Sequence, residues 1–247
     1  MRECIRLLRE NDPENKVVFT PGCFAFPDGH PQAGETNQRQ VSLEAASDFG
    51  DWVLQLDTDE IAQDVDRIIQ EINVADHLGF DGLEYPARWI YAHIMSHWFL
   101  EMSTRRLGAW DAIPGPIAVR AGTNLRHARQ ADIRCRRLQL SPSTHDEHID
   151  LSAAILHFSM VRTEAAMRWK ASISGHAPDL NWDARLRLWR EARDHPIRAI
   201  IRSVARPTFG SYRLVRLPDQ FGPDMVGSQT LIGDPCWLRS DDPPHHA

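Results

Sequence analysis

Hydrophobic and polar positions divide this chain into short blocks that alternate between strand-like and helix-like periods. A helix ending near residue 10 and a strand at 16–20 open the pattern, and a Gly- and Pro-rich loop covers 21–34. Thr36 suits an N-cap for a helix reaching Ser47, with Val41, Leu43, Ala45 and Ala46 on its packing face. Residues 52–56 are apolar enough to predict a parallel strand buried on both faces. Val65, Ile68, Ile69 and Ile72 recur at helical spacing and predict an amphipathic helix over 62–77. Another strand is expected at 83–91, after Gly79 and Gly82. Strands and helices alternating through short connections predict an α/β fold built from crossover units.

From 92 to 150 the pattern weakens, with short strands expected at 116–120 and 137–140 among polar loops. A compact apolar strand at 153–158 contains His157, and helices follow over 163–173 and 182–194. Beyond residue 206 Pro and Gly dominate, and the Asp-Asp-Pro-Pro-His-His end predicts disorder. The expected organisation is one domain over 1–205 and a partly disordered extension over 206–247.

Composition narrows the classes. With 42% hydrophobic and 25% charged residues the chain is an ordinary globular sequence. A net charge of −6 argues against a nucleic-acid partner. Cys4, Cys23, Cys135 and Cys236 form no Cys-x-x-Cys pair, so free thiols in a reducing cytoplasm are expected. No apolar run approaches the roughly 20 residues that span a bilayer, and peripheral membrane association stays open.

The richest chemistry lies where the apolar run 52–56 ends in Asp57, Asp59 and Glu60. In open α/β sheets ligands bind beyond the carboxyl ends of strands. A turn there lets Asp57 and Asp59 converge on one cation, and oxygen-only ligation favours Mn²⁺ or Mg²⁺. The competing reading is a helix first turn, where acids are also favoured. On spacing the two stand level, and the preceding strand tips the balance toward a site.

The stretch Glu35-Thr36-Asn37-Gln38-Arg39, then 43–46, then Asp51 to Glu60 resembles the middle of a family 2 glycosyltransferase. The resemblance implies a GT-A fold, a Rossmann-like and mostly parallel sheet flanked by helices, with a nucleotide-sugar donor at its carboxyl edge. It implies Asp57 near the donor ribose and metal, Asp59 on the metal, and Arg39 approaching the nucleotide. Ile155-Leu156-His157-Phe158-Ser159, with Arg162 and Lys170, resembles the family's late histidine strand and basic helix. That implies His157 as a metal or diphosphate contact, with Arg162 and Lys170 facing the leaving group. Read alone, His157 is a core histidine and the cations a solvated helix face. Asp146 and Glu147 fall where the family often places an acceptor-side acid, and either can serve as the base of an inverting transfer; a polar loop reads the same residues equally well. Trp89, Trp98 and Trp110 can stack on sugar rings, although most of the eight tryptophans are expected in the core.

The resemblance covers residues 5–175. The family's opening strand-helix-strand unit, which holds the nucleobase, has no counterpart here, so the resembling domain is N-terminally incomplete. The leading expectation is a metal-dependent, inverting transfer from a nucleotide-diphosphate-sugar donor to a glycan, lipid or small-molecule acceptor. A metal-dependent phosphohydrolase and a non-catalytic binding protein that keeps the fold are the alternatives.

Overall fold

The computed structural model describes residues 6, 9–10, 12–20, 31–103, 115–140, 148–173, 181–205 and 211–219. Helix α1 (Pro31–Ser47) leads to strand β1 (Trp52–Leu54). A turn, β2 (Glu60–Ala62), helix α2 (Val65–His77) and β3 (Gly82–Glu84) follow. Strands β4 (Ala87–Met95) and β5 (Trp98–Ser103) form a long hairpin. Short strands β6 (Ala118–Arg120), β7 (Leu125–His127), β8 (Gln130–Ala131), β9 (Cys135–Arg137), β10 (Gln139–Leu140) and β11 (His148–Ile149) precede β12 (Ile155–His157). Helices α3 (Glu164–Ile173), α4 (Trp182–Asp194) and α5 (Pro196–Ala205) and strand β13 (Ser211–Arg216) complete the described chain.

The architecture is mixed α/β. One sheet has the order β1-β6-β3-β9 and a second the order β13-β5-β4-β12-β2. Only β3–β9, β4–β12 and β10–β11 pair in parallel among the described residues. The expected mostly parallel sheet is therefore corrected to a mixed one. The β4–β5 connection is too short for a crossover, and a tight connection can only join antiparallel neighbours.

Strand β1 also departs from expectation. Among the described residues it is an edge strand, antiparallel to β6, with Val53 buried and Leu54 exposed. Trp52 is half-buried, packed against the core on one side, while its ring lies 5.3 Å from the Arg120 guanidinium and Nε1 donates to Asp76 at 3.1 Å. The strand expected at 83–91 is split, because Pro86 has no N–H to donate; β3 joins one sheet and β4 the other. Residues 16–20 are in no strand, and the N–H groups of Lys16 and Val17 donate instead to the Asp12 carboxylate. Residues 211–216, expected in the extension, form strand β13, paired antiparallel with β5.

Helix α1 starts at Pro31, whose fixed φ suits a first turn, and not at Thr36. Thr36 lies inside it, its hydroxyl donating to Gln32 O and accepting from Ala128 N. Helix α2 starts later than expected because 60–62 is a strand. Asp64 caps it, accepting from Arg67 N at 2.8 Å. At its C-terminus Gly79 adopts φ +71°, and Phe80 N donates to Ala75 O, closing the last turn. Asp64→Ala is expected to cost about 1 kcal/mol, read from the midpoint of urea unfolding.

One core joins α2 to both sheets through Ile68, Leu83, Tyr85, Ile117, Leu138 and Ile155. A second packs α3, α4 and α5 on the β4–β5 hairpin around Leu100, Met167, Leu186 and Trp189. Leu43, Val53 and Val119 pin α1 to the first sheet, which places Arg39 beside the exit of β1. No described helix is long and apolar enough to cross a membrane.

Candidate functional site

The exit of β1 is a closed turn. Glu60 N donates to Asp57 O at 2.9 Å, and Asp57 N donates to the Glu60 carboxylate at 2.9 Å. Phe158 N donates to Asp59 O at 2.7 Å, so the tip of the turn is tied to the end of β12. The register of β2 against β12 sets His157 opposite Glu60. Local sequence therefore makes the turn, and the sheet brings the late histidine to it.

Each acid meets cations. Arg39 Nη2 lies 2.7 and 2.9 Å from the two oxygens of Asp57 and also holds Glu35 at 3.1 Å. Arg129 Nη2 donates to Asp57 at 2.9 Å and to Glu60 at 3.0 Å. Asp59 accepts from Arg162 Nη2 at 2.6 Å, with Lys170 Nζ at 3.6 Å and His157 Nε2 at 3.5 Å. Lys170 is fixed by donating to Ser159 Oγ at 2.6 Å, and Arg162 Nε by donating to Ser159 O. Arg39, read alone as a surface ion pair on a solvated helix, and His157, read alone as a core histidine, are parts of one charged cluster spread over α1, the turn, β12 and α3.

Electrostatics follow from this geometry. Burial opposes ionisation of Asp57, but the Arg39 hydrogen bond and the charges of Arg129 and Arg39 outweigh it and lower its pKa. Asp59 is likewise disfavoured by burial, yet His157, Lys170 and Arg162 hold its carboxyl far below the usual range. Burial pulls Lys170 below its ordinary value, against the opposing pull of Asp59. Burial also works against the charge on Arg39, and the Asp57 and Glu35 carboxylates more than restore it.

The acids Glu35, Asp57, Asp59 and Glu60 are matched by Arg39, Arg129, Arg162 and Lys170. A bare diphosphate or a bare divalent ion would unbalance this partly buried set, whereas the two together nearly cancel. Three buried side-chain nitrogens, Arg129 Nη1, His157 Nδ1 and Trp89 Nε1, have no hydrogen-bond partner among the described residues. Trp89 meets His157 edge-on, with ring centroids 5.6 Å apart.

The donor set fits a divalent ion in a limited way. Among the described residues no group of three or more His, Cys, Asp or Glu is arranged to hold one. Asp57 is turned toward two arginines, which leaves Asp59 Oδ1 and His157 Nε2 as the available pair. Mg²⁺-like ions are commonly held by one or two protein ligands plus substrate phosphates, so a two-ligand site suffices when a diphosphate supplies the rest.

Of the residues singled out from sequence, Arg39, Asp57, Asp59, His157, Arg162 and Lys170 come together here. Asp146, Glu147 and Trp110 lie outside the described residues. Trp98 is partly exposed in β5 and pairs with β13. Sequence reasoning missed Arg129, whose side chain is 5% exposed. In sequence it sits in an ordinary polar stretch, and only the fold shows its burial. The β7–β8 hairpin that carries it is anchored to α1: Gln40 accepts from Leu125 N, and Thr36 from Ala128 N, with Ala128 at φ +50°.

Gly115 makes room for this arginine. It has φ +89°, and a Cβ there would lie 3.0 Å from Arg129 Cγ. Gly115→Ala is expected to cost about 1–3 kcal/mol through backbone strain and displacement of Arg129. Chemical denaturation beside wild type checks this.

Comparison of the chain with known protein families, with curated proteins and with solved structures finds no match.

Proposed function

We propose that this chain is a metal-dependent glycosyltransferase that moves a sugar, with inversion, from a nucleotide diphosphate donor to an acceptor. The fold that goes with this reading is GT-A. The observation that carries it is the convergence of Arg39, Asp57, Asp59, His157, Arg162 and Lys170, from three distant stretches of sequence, on one charge-balanced turn at a strand exit.

In this account Asp57, oriented by Arg39 and Arg129, accepts hydrogen bonds from the donor ribose. Arg39 stands ready on the nucleotide side. Asp59 and His157 would hold Mn²⁺ or Mg²⁺, and a bound ion would supply Lewis-acid neutralisation of the leaving diphosphate. Arg162 and Lys170, already positioned by Ser159, donate to the leaving-group oxygens. Asp146 or Glu147 takes the acceptor hydroxyl proton.

A thermal-shift panel of UDP, GDP and dTDP, each with and without Mn²⁺, tests this reading. Ligand at about 100 times its Kd adds roughly 2.7 kcal/mol, a rise of about 5–11 °C for a domain of this size. A rise that needs both metal and one nucleotide is expected; no rise with any pair would overturn the donor site. Acceptor-independent phosphate release from a nucleotide sugar would point to a phosphohydrolase.

A further inference from the structure

Among the described residues, helix α5 is anchored on one side and uncovered on the other. Ala199 and Ser203 are buried, and Ser203 Oγ accepts from Tyr212 N at 2.9 Å, fixing the helix to β13. Ile197, Ile201 and Val204 fall at i, i+4 and i+7, so they line one outward stripe. Ile197 is 73% exposed and Ile201 65%. Single exposed apolar residues are ordinary, but a row along a ten-residue helix is a patch. Beside the stripe runs a groove of about 560 Å³, walled by His195, Pro196, Ile197, Arg198, Ile201 and Arg202.

Charge identifies what fits this face. Residues 181–205 carry six arginines against two aspartates and one glutamate, in a chain whose net charge is −6. Arg198 and Arg202 border the apolar stripe and both pair with the single carboxylate of Glu191, so among the described residues positive charge is in excess at the groove. A second copy docking by the same face would set these arginines against their own counterparts. A sheet of acidic headgroups meets them with opposite charge and offers an apolar boundary to the isoleucines. Arginine stems can lie along that boundary while the guanidiniums stay at headgroup level.

We propose that the outer face of α5 docks on an anionic membrane surface, with Ile197, Ile201 and Val204 in the interface and Arg198 and Arg202 on lipid phosphates. This attachment is interfacial and does not depend on the glycosyl-transfer reading.

Flotation with lipid vesicles tests it, comparing phosphatidylcholine alone with phosphatidylcholine containing about 30 mol % phosphatidylserine. The full chain is expected to float with the anionic vesicles, to stay behind with the neutral ones, and to be released by about 0.5 M NaCl. Ile197→Asp/Ile201→Asp is expected to lower the bound fraction about tenfold or more. Because both side chains are exposed, its melting temperature should stay within about 2 °C of wild type. Absence of flotation on anionic vesicles, equal flotation on neutral ones, or unchanged flotation of the double variant overturns the proposal. So does a self-association seen without lipid that the double variant abolishes, which would assign the face to a second copy.

Discussion

Arg129→Ala is expected to lower stability by about 3–5 kcal/mol, the usual penalty for removing one partner of a buried ion pair. Its guanidinium bridges Asp57 and Glu60, and the Glu60 side chain is only 1% exposed. Truncation leaves that carboxylate inside the protein with Arg129 gone, and loosens the turn that presents Asp57 and Asp59. For a domain of this size the melting temperature should fall by about 6–20 °C. Arg129→Met combined with Glu60→Gln should recover more than half of the loss, since removing both charges avoids the unpaired state. Melts followed by circular dichroism check both variants. A loss below about 1 kcal/mol for Arg129→Ala, as at an exposed pair, would mean that the bridge is not buried in solution.

Asp59→Asn carries the second large effect, on binding more than on folding. The variant loses one charge that faces Arg162, Lys170 and His157, costing about 2–3 kcal/mol of charge-assisted hydrogen bonding. It also loses the negative oxygen that a divalent ion needs, so Mn²⁺-dependent nucleotide binding should vanish. Acid sensitivity separates the two roles. The folded pKa values of Asp57 and Asp59 are depressed below the ordinary carboxyl value. Their contribution is therefore complete above that ordinary value, near pH 4, and is lost as pH falls from there through the folded values. Wild type should lose stability over that acid range, and Asp59→Asn should lose less of it. Urea midpoints measured from about pH 6 to pH 2 check the difference.

Parts of this molecule were legible from its sequence because they are encoded locally. Helix α4 has the expected bounds, Trp182–Asp194, since apolar periodicity and the Asn181 cap agree. The strands around 53 and 156 and the acidic turn were likewise visible as short apolar runs with polar ends. Strand direction was not, because it depends on which distant segments pair. The apolar run at 52–56 reads as a doubly buried strand, yet Trp52 packs on a surface arginine and β1 has no outer neighbour among the described residues. Strand β13 stayed hidden because its polar residues have tertiary partners: Arg213 reaches the fully buried Glu101, which also holds Arg88. Helix α5 was missed because it follows α4 through a single residue and starts at Pro196, which reads as a stop. In the site, residues carried by a motif could be named in advance. Arg129 could not, because its role comes from a hairpin folding back onto α1.

The most direct measurement is a calorimetric titration of Mn²⁺ and the responding nucleoside diphosphate into wild type and Asp59→Asn, with both proteins shown folded by circular dichroism. The account predicts saturable binding to wild type that requires metal and nucleotide together, and a loss of about 100-fold or more in the variant, equivalent to about 2.7 kcal/mol. Equal affinity in the two proteins, or tight nucleotide binding to wild type without metal, would contradict the assignment of Asp59 and His157 as the metal–diphosphate site.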